Sequence, residues 1–199
     1  MQRVLHAVTN VMCGVETYQV VTRFSTETMP RFVAFLRGVS PMNLKMADLK
    51  QCLEAAGFTE VKTILSSGNV AFNTSDRREA SIAKKIEAQL QQQLGRSFPV
   101  TVRSVEHLQN LLASDPFSRY RIHAGAKPVV TFLWKPADAK LKLPIEHEGA
   151  TIHQVQAMEV FTRYVPHPKG PVFMSLLEKT FGKEQTTRTW ETVKKCAQS

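Results

Sequence analysis

The sequence predicts an α+β fold of two sandwich domains, the first ferredoxin-like and the second a set of α+β elements that shows no internal sequence repeat yet allows a related sandwich. Three observations carry this. Apolar runs and helical stripes follow the order strand, helix, strand, strand, helix, strand over residues 30–104. Helix and strand patterns resume over 105–199, and glycine-bearing turns punctuate both halves. With 199 residues, 43% of them hydrophobic and 22% charged, the chain can fill one large or two small cores, which excludes a disordered or fibrous class.

The first half is read element by element. Phe32 to Leu36 is apolar on both alternating faces, as a central strand requires. Met46, Leu49, Leu53 and Ala56 recur at helical spacing, and Gly57 stands where a helix end favours glycine. Val61 to Ser66 and Val70 to Asn73 are short strands joined by Ser67-Gly68-Asn69, a hairpin signal. Asp76 with Glu79 three positions on predicts a capping box before the stripe Ile82, Ile86, Leu90 and Leu94, with Gly95 near its end. Phe98 to Arg103 supplies the last strand.

In the second half, Ser104 is expected to cap a helix carrying Leu108, Leu111 and Leu112, and Ser114 to Lys127 reads as a linker. Val129 to Trp134 reads as a strand, and Thr151 to Val165 as two more. Pro171 opens a helix holding Phe173, Leu176 and Leu177 and closed by Gly182. Thr186 or Thr187 is expected to cap a final helix with Trp190, Val193 and Ala197 on one stripe. Residues 1–28 contain no lysine or aspartate and show no clean period; they read as a poorly ordered leader, with Met29 as an alternative start.

Several segments together resemble a known family. Phe35-Leu36-Arg37-Gly38-Val39, Leu53-Glu54-Ala55-Ala56-Gly57-Phe58, Ser67-Gly68-Asn69-Val70-Ala71-Phe72 and the closing Thr186-Thr187-Arg188-Thr189-Trp190-Glu191-Thr192-Val193 are similar to the domain of unknown function 1697 family. The likeness spans about Phe32 to Cys196 and implies two α-β plait domains in tandem, with no established activity. Two departures stand out. The loop Ser40-Pro41-Met42-Asn43-Leu44-Lys45 is shorter than the family's Asn-Val-Gly-Gly type loop and lacks its glycine pair, and Thr189 stands where asparagine is usual.

Composition narrows the function classes. No run approaches the roughly 18 apolar residues that cross a bilayer, so no membrane association is expected and the expected address is cytoplasmic. Cys13, Cys52 and Cys196 have no C-x-x-C spacing, and His147, His153 and His167 lack metal-ligand spacing, so neither a metal nor a cofactor is expected. Cys52 reads as a buried, inert thiol beside an apolar stripe. No nucleophile elbow, Walker or dinucleotide motif occurs, which leaves the catalytic residues unknown. A net charge of +9 invites nucleic acid, yet its basic residues come in pairs such as Arg77-Arg78, Lys84-Lys85 and Lys194-Lys195. An RNA-binding plait needs outward aromatic rings on its central strands; Phe72 stands alone, and Phe32 and Phe35 fall on opposite faces.

A site follows from handedness. In a right-handed strand-helix-strand unit the two strands are parallel, so Arg37 and Gly38 should meet the turn Ser67, Gly68 and Asn69 at one sheet edge. Beside the start of the first helix these residues can hold a phosphate or carboxylate. The alternative is a plain tight turn, with Arg37 paired to a local carboxylate or carbonyl. Thr187 and Arg188 are a second part of the anion site, because a cation in the first turn of a helix calls for an anion. The alternative there ties Arg188 to an acidic side chain of the other domain, with Trp190 as a core anchor. The sequence thus favours a small anionic ligand, the alternative being weak, sequence-tolerant nucleic-acid binding.

Overall fold

A computed structural model of the chain describes residues 29–120, 125–166 and 172–199. The leader, His167 and the helix start at Pro171 lie outside the described residues. Two antiparallel sheets and five helices make up the rest.

The first sheet contains β1 (Arg31–Leu36), β2 (Thr59–Ile64), β3 (Asn69–Asn73) and β4 (Val100–Ser104) in the order β2-β3-β1-β4. Helices α1 (Met46–Ala55) and α2 (Glu79–Leu94) cover one face, where Phe32, Leu36 and Phe72 pack with Leu53, Ile86 and Leu90. Alternation puts Val33 and Phe35 on the opposite face, which is also buried. Strand β1 is therefore apolar throughout because it is covered on both sides. That burial leaves Phe32, Phe35 and Phe72 at 0–3% exposure, with no ring on these strands open to a base.

The second sheet contains β5 (Lys127–Leu133), β6 (Ile145–His147), β7 (Ala150–Gln156), β8 (Glu159–Tyr164) and β9 (Gln185–Thr189), ordered β6-β7-β8-β5-β9. Apart from the short edge strand β6, the order β7-β8-β5-β9 repeats that of the first sheet. Helix α4 (Val172–Phe181) links β8 to β9 as α2 links β3 to β4. No helix links β5 to β7; β6 lies in that connection instead.

Helices α3 (Val105–Ala113) and α5 (Trp190–Ala197) join both sheets in a middle core. Phe35 and Phe132 stack across it at 4.9 Å. Phe117 comes from the segment read as a linker, yet it is buried there, edge-on to Phe161 and Trp190. Residues on both sides of position 104 thus fill one core, each large side chain contributing about 1.5–3 kcal/mol by leaving water.

A buried ion cluster pins the same junction. Arg103 donates from Nε to Glu159 (2.9 Å) and from Nη1 to Glu79 (3.1 Å), while its guanidinium lies over the Phe132 ring. His107 Nε2 stands 3.3 Å from the same Glu159 carboxylate. That hydrogen bond raises the His107 pKa against the opposing effect of burial. Burial pushes the Glu159 carboxyl up, but the His107 hydrogen bond and the charge of Arg103 outweigh it and hold the pKa below its ordinary value.

Two expected caps are corrected. Helix α2 starts at Glu79 itself, and Asp76 accepts from the Arg78 amide instead of closing a capping box. The Glu79 carboxylate is already engaged by the Ser104 amide and by Arg103. Thr186, Thr187 and Arg188 are in β9, and Thr189 caps α5 by accepting from the Thr192 amide. Arg188 is therefore not in a helical first turn, and the dipole argument for it fails.

Candidate functional site

The strand ends meet as handedness requires. Phe35 stands opposite Asn69 in the β1–β3 register, and the Leu36 amide donates to Gly68 O at 2.8 Å. Gly68 has φ +74°, and a Cβ there would lie 2.9 Å from Val39 Cβ, so the close approach needs glycine. Gly38, also at φ +74°, opens the short loop. Asn43 braces that loop by donating to Gly38 O (2.7 Å) and accepting from the Ser40 amide (2.8 Å). The first turn of α1 does not line the cleft described below.

From this edge the two halves exchange arginines. Arg37, just past β1, reaches into the second half: Nη2 donates to Glu178 Oε1 at 2.8 Å, and Nη1 donates to Lys183 O and Gln185 O. The carboxylate alternative for Arg37 is thus realised, though by a residue far along the chain. Arg188, on β9, reaches back into the first half. Its Nε donates to Asn69 Oδ1, and its Nη2 to Leu36 O at 2.7 Å and Ser67 O at 3.1 Å. Asn69 is fully buried and oriented by donating to Ile64 O and Ser67 Oγ.

The two cations differ electrostatically. Arg37 is offset by Glu178, while among the described residues every acceptor around Arg188 is a neutral carbonyl or amide oxygen. Arg188 is tied to the other half as the alternative reading held, but by carbonyls and not by an acidic side chain. Burial lowers its pKa to about 10, so it remains charged at neutral pH. The neighbouring Cys196 thiol, pushed up to about 11 by burial, supplies no counter-charge there.

A cleft of about 360 Å³ opens at this exchange. Arg37, Gly38, Thr187 and Arg188 line it, whereas Ser67, Gly68 and Asn69 stand behind, holding Arg188. Three further lining residues were not foreseen from the sequence: Tyr164 ends β8, and Phe173 and Met174 are in the first turn of α4. The Tyr164 and Phe173 rings stack at 3.8 Å and 10°. Gln185 also lines the cleft; it is 1% exposed, and its Oε1 has no hydrogen-bond partner among the described residues. A hollow of similar size lies at Glu146, His147 and Glu148, but those three side chains are exposed and bring no buried charge.

Elsewhere the described residues hold no group of three or more potential metal ligands among His, Cys, Asp and Glu. Cys52 is buried, and its thiol pKa is raised by burial and by the charge of Asp48, which suits an inert core thiol. Trp190 is 6% exposed and packs in the middle core. No described helix is long and apolar enough to cross a membrane.

The model of a family described as a protein of unknown function (DUF1697) matches residues 29–161, a span that includes Arg37 and Gly38 but ends before β9. No curated protein matches the chain. Among solved structures, the conserved bacterial protein SP0830 from Streptococcus pneumoniae is similar with a TM-score of 0.63 and 21% identity, covering 86% of this chain and 98% of that one. At that identity the likeness speaks for the fold.

Proposed function

Because the chain belongs to the DUF1697 family of proteins of unknown function, which brings no reaction with it, we propose from the geometry that it binds a small phosphate or carboxylate in the arginine cleft. One observation carries the reading: Arg188 is a half-buried guanidinium lining a cleft, and its acceptors among the described residues are all neutral. Moving a cation out of water costs several kcal/mol, which carbonyl dipoles offset in part and an anion offsets further. Arg37 supplies the contact. Its Nε and one Nη2 proton have no acceptor among the described residues, leaving part of the planar fork for an oxyanion.

The finer description of the fold belongs to the same reading. The order β2-β3-β1-β4 and its repeat β7-β8-β5-β9 support two ferredoxin-like plaits, the second without its first helix. The free, buried thiols Cys52 and Cys196 fit a reducing, cytoplasmic address.

Titration calorimetry with inorganic phosphate and with acetate tests the function. Arg37→Met keeps the apolar stem and should weaken binding by tenfold or more, which is about 1.4 kcal/mol, while the fold survives. Unchanged affinity in a folded Arg37→Met protein, or no anion binding up to millimolar concentrations, would overturn the proposal. An oligonucleotide whose affinity falls steeply between about 50 and 200 mM salt would favour nucleic-acid binding instead.

A further inference from the structure

The lining of the cleft joins two unlike sets of side chains, and the second has no role in holding an inorganic anion. Arg37 and Arg188 are the cationic set; Tyr164, Phe173 and Met174 are the apolar and aromatic set. From this juxtaposition we propose that the ligand is a small aromatic anion, a planar ring carrying a phosphate or carboxylate. The ring packs on the Tyr164–Phe173 pair and the anionic group reaches Arg37. This rests on the anion reading above and adds the class of molecule.

Size is the first argument. A water occupies about 30 Å³ in the liquid, and an inorganic phosphate or acetate is only a few times larger, so either would leave most of a 360 Å³ space empty. A ring with an attached anionic group fills it far better. Wall chemistry is the second. Tyr164 and Phe173 are only part-buried even though their rings stack on each other nearly parallel, at 3.8 Å and 10°. Burying rings of this size contributes strongly to a packed core, so a pair left part-exposed beside two guanidinium groups offers apolar area to a partner. A stacked pair still presents ring faces or edges to a third ring, and Met174 adds a polarizable thioether that packs well against ring edges.

The polar groups agree. The Tyr164 hydroxyl makes no hydrogen bond among the described residues, and a phenol beside an apolar site usually finds a partner. It can therefore donate to an oxygen of the anionic group or accept from a ring substituent. The lining residues come from both halves of the chain. Arg37 leaves β1 of the first half, while Tyr164 and Phe173 flank the connection from β8 to α4 in the second, so the ligand bridges the halves.

Matched ligand pairs test the ring directly. Phenyl phosphate against methyl phosphate, and benzoate against acetate, are titrated into the full chain by calorimetry. The expected result is at least tenfold tighter binding of the aromatic member of each pair. Phe173→Leu, which keeps apolar volume, should collapse that ratio toward one while leaving methyl phosphate affinity within about twofold. Equal affinity within each wild-type pair would overturn the aromatic proposal while leaving the anion reading intact; failure of all four ligands to bind would overturn both. A ratio that survives in Phe173→Leu and in Tyr164→Leu would also overturn it. The wild-type comparison needs no variant to fold. Binding of a 5′-phosphorylated oligonucleotide more tightly than phenyl phosphate would overturn the small-molecule assignment.

Discussion

Gly68 and Gly38 share the same φ of +74°, yet their surroundings differ, and the difference predicts different tolerance to a methyl group. A Cβ at Gly38 meets nothing within 4 Å, so Gly38→Ala should cost only the left-handed backbone penalty of about 1–2 kcal/mol. At Gly68 the same atom would sit 2.9 Å from both Val39 Cβ and Cγ2 and 3.1 Å from Leu36 Cβ, where β1 and the turn are held together. Overpacking adds roughly 1–3 kcal/mol, so Gly68→Ala should cost about 2–5 kcal/mol in urea unfolding. Equal losses in the two variants would show that the close approach is not tight. The sequence made this edge legible because strand handedness and backbone hydrogen bonds bring Arg37 to the turn whatever the side chains are. Tyr164, Phe173 and Met174 were not legible as cleft residues. An apolar residue at the start of a helical stripe, or at the end of a strand, has the same pattern whether it meets a core or a ligand.

At the scale of elements, strands and helices with apolar periodicity were legible, and β9 was not. Gln185-Thr186-Thr187-Arg188-Thr189 has no apolar residue on either face, so no period of two appears. Its burial is polar: Gln185 and Thr186 are each 1% exposed, Thr186 Oγ1 accepts from Thr101, and Thr187 bonds Thr131 across to β5. A run of threonines before an amphipathic stretch imitates a helix cap, and the expected cap fell two or three residues too early. The edge strand β6 was missed for lack of length. The actual cap makes a prediction. Thr189 Oγ1 accepts from the Thr192 amide and bonds its hydroxyl at 2.9 Å, so Thr189→Ala should destabilise by about 1 kcal/mol and Thr189→Ser should recover most of it. A Thr189→Ala protein with an unchanged urea midpoint would mean that the last helix is held by its buried stripe alone.

At the scale of the molecule, the middle core and the Arg103–Glu159–His107–Glu79 cluster make the junction between sheets part of the folding unit, and the cluster gives that unit a pH dependence. The His107 pKa is raised from 6.5, chiefly by its hydrogen bond to Glu159, so its contribution is fully present below about pH 6.5 and is lost as pH rises through the folded value. Glu159 behaves oppositely. Its pKa is held below 4.5, so its contribution is present above pH 4.5 and is lost as pH falls through the folded value. The two slopes place the cluster's strongest contribution between about pH 4.5 and 6.5. The charges facing His107 in this cluster are those of Glu159, Arg103 and Glu79, of which Arg103 alone opposes its protonation. Net charge argues the other way, since a chain of formal charge +9 should gain stability as its histidines deprotonate and repulsion falls. The hydrogen bond to a buried carboxylate should win, because surface charges act through water and are screened at about 0.15 M salt. Measured relative to His107→Gln, which shares the His153 pKa lowered chiefly by burial, the urea midpoint of the wild-type protein should therefore fall between pH 6 and 8. His107→Gln can still donate to Glu159 but cannot titrate, and it should flatten or reverse that limb while keeping the acid limb set by Glu159. Parallel profiles for the two proteins from pH 5 to 8 would show that the junction is indifferent to the charge on His107.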